Sequence, residues 1–150
     1  MKVTVSSSDL STRLQTINKV QNAKNTLVIL DCILFELSNN TLRLTGSDSE
    51  ITVNSTIDVT DVDGEGVIAI NAKKIINAVK EIPDQPITVD VDTRSFSIKI
   101  TYQNGEYSFT GSDGTDFPLP IPLDTYENTV TLNSQHIYNG IARCLFATDD

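Results

Sequence analysis

The 150-residue chain predicts an α+β fold, with helices packed on one face of mostly antiparallel sheet. Three observations carry that prediction. An apolar strand, then Ser or Asn, then an apolar helical stripe occurs three times, at 3–17, 67–82 and 130–144. Runs that alternate apolar and polar residues follow the first and second copies, the period of a strand with one solvated face. Asn-Asn and Asn-Gly pairs punctuate those runs where hairpin turns fit.

In each copy the stripe is spaced i, i+4, i+7, one face of a helix. It reads Leu10, Leu14, Ile17, then Ile75, Val79, Ile82, then Ile137, Ile141, Cys144. With Val5, Ile70 and Leu132 as strand ends, the copies lie 65 and 62 residues apart. That is too long for a solenoid repeat and suits a duplicated unit of strand, helix and strands. The third copy is unfinished.

Between the first two helices, strands are expected near Leu30–Leu37, Thr41–Thr45, Ile51–Ile57 and Gly66–Ile70, with Asn39-Asn40 as a tight turn because Asn tolerates positive φ. Ile82-Pro83-Asp84 ends the second helix, since Pro lacks a donor and crowds the preceding turn. Strands resume at Ile87–Val91, Ser95–Thr101 and Glu106–Thr110, with Asn104-Gly105 as the hairpin signal between the last two. Each half is read as one helix plus several antiparallel strands.

The prolines of Phe117-Pro118-Leu119-Pro120-Ile121-Pro122 favour an extended connector over a ladder strand. The expected organisation is a first domain at 1–119, a linker at 120–127, and a truncated start of a second domain at 128–150. One strand and one helix bury too little apolar area to stand alone.

An apolar content of 39% with 21% charged residues is globular, and no run of about 18 apolar residues could span a membrane. Met1-Lys2 leads straight into a strand without a signal-peptide pattern, so the expected location is the cytoplasm. The sequons at Asn39 and Asn54 then read as turn and strand residues. Cys32 and Cys144 are expected as reduced, buried thiols, because there is no CxxC and one His. His136 has no Ser or Cys and carboxylate at triad spacing, so no catalysis is expected. Asp48-Ser49-Glu50 has too few oxygens for Ca²⁺ and reads as turn chemistry. Gly111-Ser112-Asp113-Gly114 lacks the ending of a phosphate loop, and no nucleotide or other cofactor is implied.

Charge sorts with the repeats. Residues 6–24 carry Arg13, Lys19 and Lys24 against Asp9, residues 72–82 carry Lys73, Lys74 and Lys80 against Glu81, and residues 134–144 carry Arg143. Those stretches sum to +2, +2 and +1, leaving −14 on the rest of a −9 chain. Basic helices on an acidic body suit a face that meets a polyanion, although lysines that merely solvate amphipathic helices give the same count.

Six segments together resemble the N-terminal part of the bacterial sliding clamp, the β subunit of the replicative DNA polymerase. They are Met1-Lys2-Val3-Thr4-Val5, Thr26-Leu27-Val28-Ile29-Leu30, Leu42 to Glu50, Ala72-Lys73-Lys74, Ile82-Pro83-Asp84 and Asp116-Phe117-Pro118. The resemblance implies a clamp fold, and a non-catalytic subunit that closes head-to-tail with a second subunit around duplex DNA without reading sequence. It implies that Lys24 stands in a loop touching DNA, and that Arg13, Lys73, Lys80 and Arg143 line the hole. It further implies that Lys74, Ala78 and Ile82, with Tyr107 and Phe109, meet the second subunit. DNA polymerase and clamp loader would bind regions outside this chain. Val28 and Asn71 replace usual prolines, Asn71 remaining able to cap a helix, and Glu106 sits where some members use basic residues. A stand-alone clamp-fold module that binds protein and not DNA is the competing expectation.

Overall fold

Ser6 and Asn71 each end a strand and start a helix. The Ser6 hydroxyl accepts from the Asp9 N–H at 3.4 Å, and the Asn71 side chain accepts from the Lys74 N–H at 3.2 Å. Both satisfy a helix N–H that has no partner inside the helix. The computed structural model describes residues 1–21, 27–119 and 130–148. It divides into two compact units, Met1–Leu119 and Pro120–Asp150.

In the first unit the order is β1 (Lys2–Ser6), α1 (Ser7–Asn18), β2 (Cys32–Ser38), β3 (Thr41–Ser47), β4 (Thr52–Asp58), β5 (Thr60–Asp63), β6 (Gly66–Asn71), α2 (Ala72–Lys80), β7 (Pro86–Asp92), β8 (Ser97–Tyr102), β9 (Gly105–Thr110) and β10 (Ser112–Asp113). Two antiparallel five-stranded sheets result, ordered β5-β1-β7-β8-β9 and β10-β6-β2-β3-β4. The duplication is visible in that order. Each sheet takes the outer strands of one copy and the three middle strands of the other. Ser6 faces Pro86 across β1 and β7, and Asn71 faces Cys32 across β6 and β2. The copies interlock because each opening strand finds its ladder partner in the opposite copy.

The two helical stripes bury as predicted. Leu10, Leu14 and Ile17 of the first copy join Ile75, Val79 and Ile82 of the second in one core with both sheets. α1 packs against α2 and lies over β3 and β4. Gly46 on β3 permits that approach, since a Cβ there would stand 2.4 Å from Ile17 Cγ2. On the other face of the second sheet, Leu30, Leu34 and Phe117 form a smaller cluster. Over Cys32–Phe35 β2 is therefore buried on both faces, which is why that stretch is continuously apolar.

Several expectations shift. The first predicted strand begins at Cys32 because Val28–Asp31 forms a 3-10 turn. Two short edge strands, β5 and β10, carry no run long enough to predict. Asn39 and Asn40 take φ of 49° and 59°, as their turn requires. In the later hairpin Tyr102 pairs with Gly105, so the turn centres on Gln103 and Asn104, one residue before the predicted pair. Asp48 Oδ1 accepts from the N–H groups of Glu50 and Ile51 at 3.0 and 2.7 Å, the expected turn chemistry.

In the second unit, α3 (Ser134–Cys144) forms with its N-cap at Asn133. Val130–Leu132 is not a strand, because a strand needs a ladder and none is offered among the described residues. Ile137 and Ile141 are exposed, and so is Cys144, contrary to its expected burial. Residues 120–129, which hold the expected linker, lie outside the described residues.

Candidate nucleic-acid interface

α1 and α2 present corresponding sides, and an offset of 65 residues relates them, as it relates Ser6 to Asn71. The core side of α1 is Leu10, Leu14 and Ile17, and that of α2 is Ile75 and Val79 with Ile82 just beyond. The outward side is Ser8, Thr12 and Gln15 on α1, and Lys73, Asn77 and Lys80 on α2, all exposed. A flank remains on each helix: Asp9, Arg13 and Thr16 on α1, and Lys74, Ala78 and Glu81 at the matching places of the second copy.

Asp9 shares a cleft with Ile57 and Asp58 of β4. In the second copy, the Glu81 carboxylate is close enough to Tyr107 of β9 to help raise its hydroxyl pKa, a shift due chiefly to desolvation. β4 and β9 are the equivalent end strands of their sheets. Ile76 packs partly buried against the core on the opposite flank of α2.

Arg13 is exposed on the β4 flank of α1, and Lys73 and Lys80 are exposed on the outward side of α2. Among the residues of α2 there is no acid. Lys24 lies outside the described residues. Arg143 is exposed in the last turn of α3, in the second unit.

The residues expected at a subunit contact are distributed over α2, its C-terminal end and β9. Lys74 is exposed and Ala78 half-buried on the β9 flank of α2, and Tyr107 and Phe109 are half-buried against the core on β9. Ile82, only 7% exposed, supports that patch from inside the core. Tyr107 stacks on Tyr102 with ring centroids 5.7 Å apart. Sequence reasoning missed Tyr102, because the strand was expected to end at Thr101 and Gly105 to lie in the turn. A Cβ at Gly105 would lie 2.8 Å from the Tyr102 hydroxyl, so glycine leaves room for that ring. Glu106 meets Lys99 at 2.6 Å on the solvated face of the hairpin. Both ends are about half exposed, so the pair adds little stability.

The remaining polar chemistry is structural. Among the described residues, no group of three or more His, Cys, Asp or Glu could hold a metal ion. Cys32 is buried, and desolvation raises its thiol pKa, aided by Asp31 and opposed by Lys74.

Two interlocked antiparallel sheets with paired helices are the DNA clamp fold. The solved putative DNA polymerase III beta subunit from Eubacterium rectale matches with a TM-score of 0.74 at 29% identity, over 89% of this chain and 34% of that one. The Helicobacter pylori beta clamp, solved bound to a DNA ligase peptide, matches with a TM-score of 0.74 at 28% identity, over 81% of this chain and 34% of that one. The chain belongs to the family of the DNA polymerase III beta subunit, N-terminal domain, whose model matches residues 1–122. The beta sliding clamp of Staphylococcus aureus is 28% identical over 155 residues, covering 98% of this chain. The chain spans 40% of that relative's length.

Proposed function

We propose that this chain supplies the first domain, and the opening of the second, of a ring-forming sliding clamp. In this reading the ring encircles duplex DNA, independent of sequence, and tethers a polymerase for processive synthesis in the cytoplasm, at the nucleoid. The observation that carries it is α2. On a chain of net charge −9, this helix presents Lys73, Asn77 and Lys80 outward and contains no acid.

Lysines on a flat helical layer meet phosphates without reading bases, which permits lateral movement. Topological linkage, not affinity, then supplies retention. Lys24 and Arg143 are further proposed phosphate contacts. The flank of α2 with Lys74 and Ala78, backed by Ile82 and joined by Tyr107 and Phe109, is the proposed contact for the next subunit. It combines apolar groups with a charged rim, as subunit contacts do. The role is non-catalytic, and polymerase and clamp loader engage parts of the ring outside this chain.

The test uses the longer protein that carries this domain. Charge reversal of Lys73 and Lys80 to Glu should lower its retention on DNA. A protein-binding module with the same fold would keep its partner binding and show no DNA effect.

A further inference from the structure

We infer that Tyr102 is a positioning residue of the proposed subunit contact, holding the ring of Tyr107 in its place on the end strand of the sheet. The inference rests on the proposed meeting of β9 with the next subunit, and adds to it a residue that acts through another.

β9 ends its sheet, so among the described residues β8 is its one ladder partner. Side chains alternate along a strand, which turns Gly105, Tyr107 and Phe109 to the core side. Phe109 pairs with Ile98 and Tyr107 with Ile100, and both isoleucines are fully buried. Beyond Tyr107, toward the turn, the strand offers only Gly105, which has no side chain to pack. Tyr102 fills that gap. It pairs with Gly105 and reaches across it, so that its ring stacks on Tyr107 with centroids 5.7 Å apart and planes at 25°. Such a diagonal contact between paired strands is within reach of aromatic side chains. The glycine is what permits it, since a Cβ at 105 would lie 2.8 Å from the Tyr102 hydroxyl oxygen and 3.1 Å from Cζ.

The turn beside this pair is tied down. The Gln103 N–H donates to Gln85 Oε1 at 2.9 Å, and the main chain of Gln85 bonds to Ser7. The first copy is built otherwise. Its last core-facing pair before the turn is Gly46 and Val53, with the glycine on the middle strand, where it admits Ile17. In the second copy the glycine stands on the end strand and an aromatic residue on the middle one. An ordered aromatic pair therefore belongs to β9 and not to β4, and β9 is the strand assigned to the next subunit. A ring that is already ordered loses less freedom on association, which is the gain from preorganisation.

The experiment measures the dissociation constant of the closed ring by sedimentation of the longer protein that carries this domain, with thermal melting beside it. Tyr102→Ala should raise that constant about three- to tenfold, the loss expected when one large side chain must be ordered on binding. Tyr102→Phe keeps the ring and should restore closure. Gly105→Ala keeps both tyrosines but displaces the stack, and should weaken closure as Tyr102→Ala does; it decides alone if Tyr102→Ala does not fold. A tyrosine that serves only the fold gives another pattern, a lower melting temperature with an unchanged dissociation constant, and that result overturns the inference. So does a loss with Tyr102→Phe as large as with Tyr102→Ala, because the hydroxyl and not the stack would then matter. Tyr107→Ala separates the two levels. If it leaves closure unchanged, the proposed contact fails at β9 and the inference with it; if it weakens closure while Tyr102→Ala and Gly105→Ala do not, only the inference is lost.

Discussion

Ser7 and Gln85 hold each other through their main chains and one hydroxyl. The Ser7 N–H donates to the Gln85 carbonyl at 2.9 Å, and the Gln85 N–H donates to Ser7 Oγ at 3.0 Å. The Ser7 hydroxyl in turn donates to the Pro83 carbonyl at 2.8 Å. Through this buried serine, the start of α1 in the first copy is fixed to the loop after α2 in the second.

Ser7→Ala should therefore weaken the whole first unit, since it removes the hydroxyl that accepts from the part-buried Gln85 N–H and donates to the Pro83 carbonyl. A loss of about 1–3 kcal/mol is expected. Urea unfolding should show a lower midpoint with an unchanged slope, the sign of lost stability without altered compactness.

Gly46→Ala tests how closely α1 sits on β3. The added methyl would collide with Ile17 Cγ2, at a cost of about 1–3 kcal/mol from overpacking. Ile17→Ala removes that methyl and is itself destabilising, by about 2–5 kcal/mol. Combined, the two changes should cost less than their sum in a double-mutant cycle.

Acid should unfold the protein in part through three aspartates. Asp48 is held below its usual pKa by the N–H groups of Ile51 and Glu50, Asp92 by the Ser95 hydroxyl and the Arg94 N–H, and Asp113 by the Thr115 N–H and hydroxyl. A lowered folded pKa adds stability above the unfolded value, about 3.9, and that stability is lost as pH falls through the folded value. Replacing all three with Asn should flatten the fall in stability below about pH 4. Chemical denaturation between pH 2 and 7 measures it, and an unchanged acid limb would contradict the assignment.

Ala78 probes the proposed subunit contact, because it is half exposed on its flank while its neighbours Ile75 and Val79 are buried. Ala78→Lys should leave the melting of the 150-residue chain nearly unchanged. In the longer protein the same change should weaken ring closure at least tenfold, measured by sedimentation.

Much of this architecture was legible in the residues. The stripes through Leu10 and Ile75 bury because their spacing leaves no other face for a core. What local pattern could not show was pairing: nothing in Val3 or Val5 reveals that β1 joins β7, some eighty residues later, and not β2. The third stripe failed for a related reason, since Ile137 and Ile141 need an opposing surface that lies beyond helix periodicity. Charge was legible in the residues, and direction was not. Arg13 and Lys73 look alike in a charge count, and only the placement of β4 beside Asp9 separates their surfaces.

The central claim is encirclement, and retention on circular DNA tests it most directly. The longer protein, loaded on a closed circle, should remain bound through high salt and be released when a single cut gives the DNA free ends. Equal retention on circular and cut DNA would contradict a sliding ring.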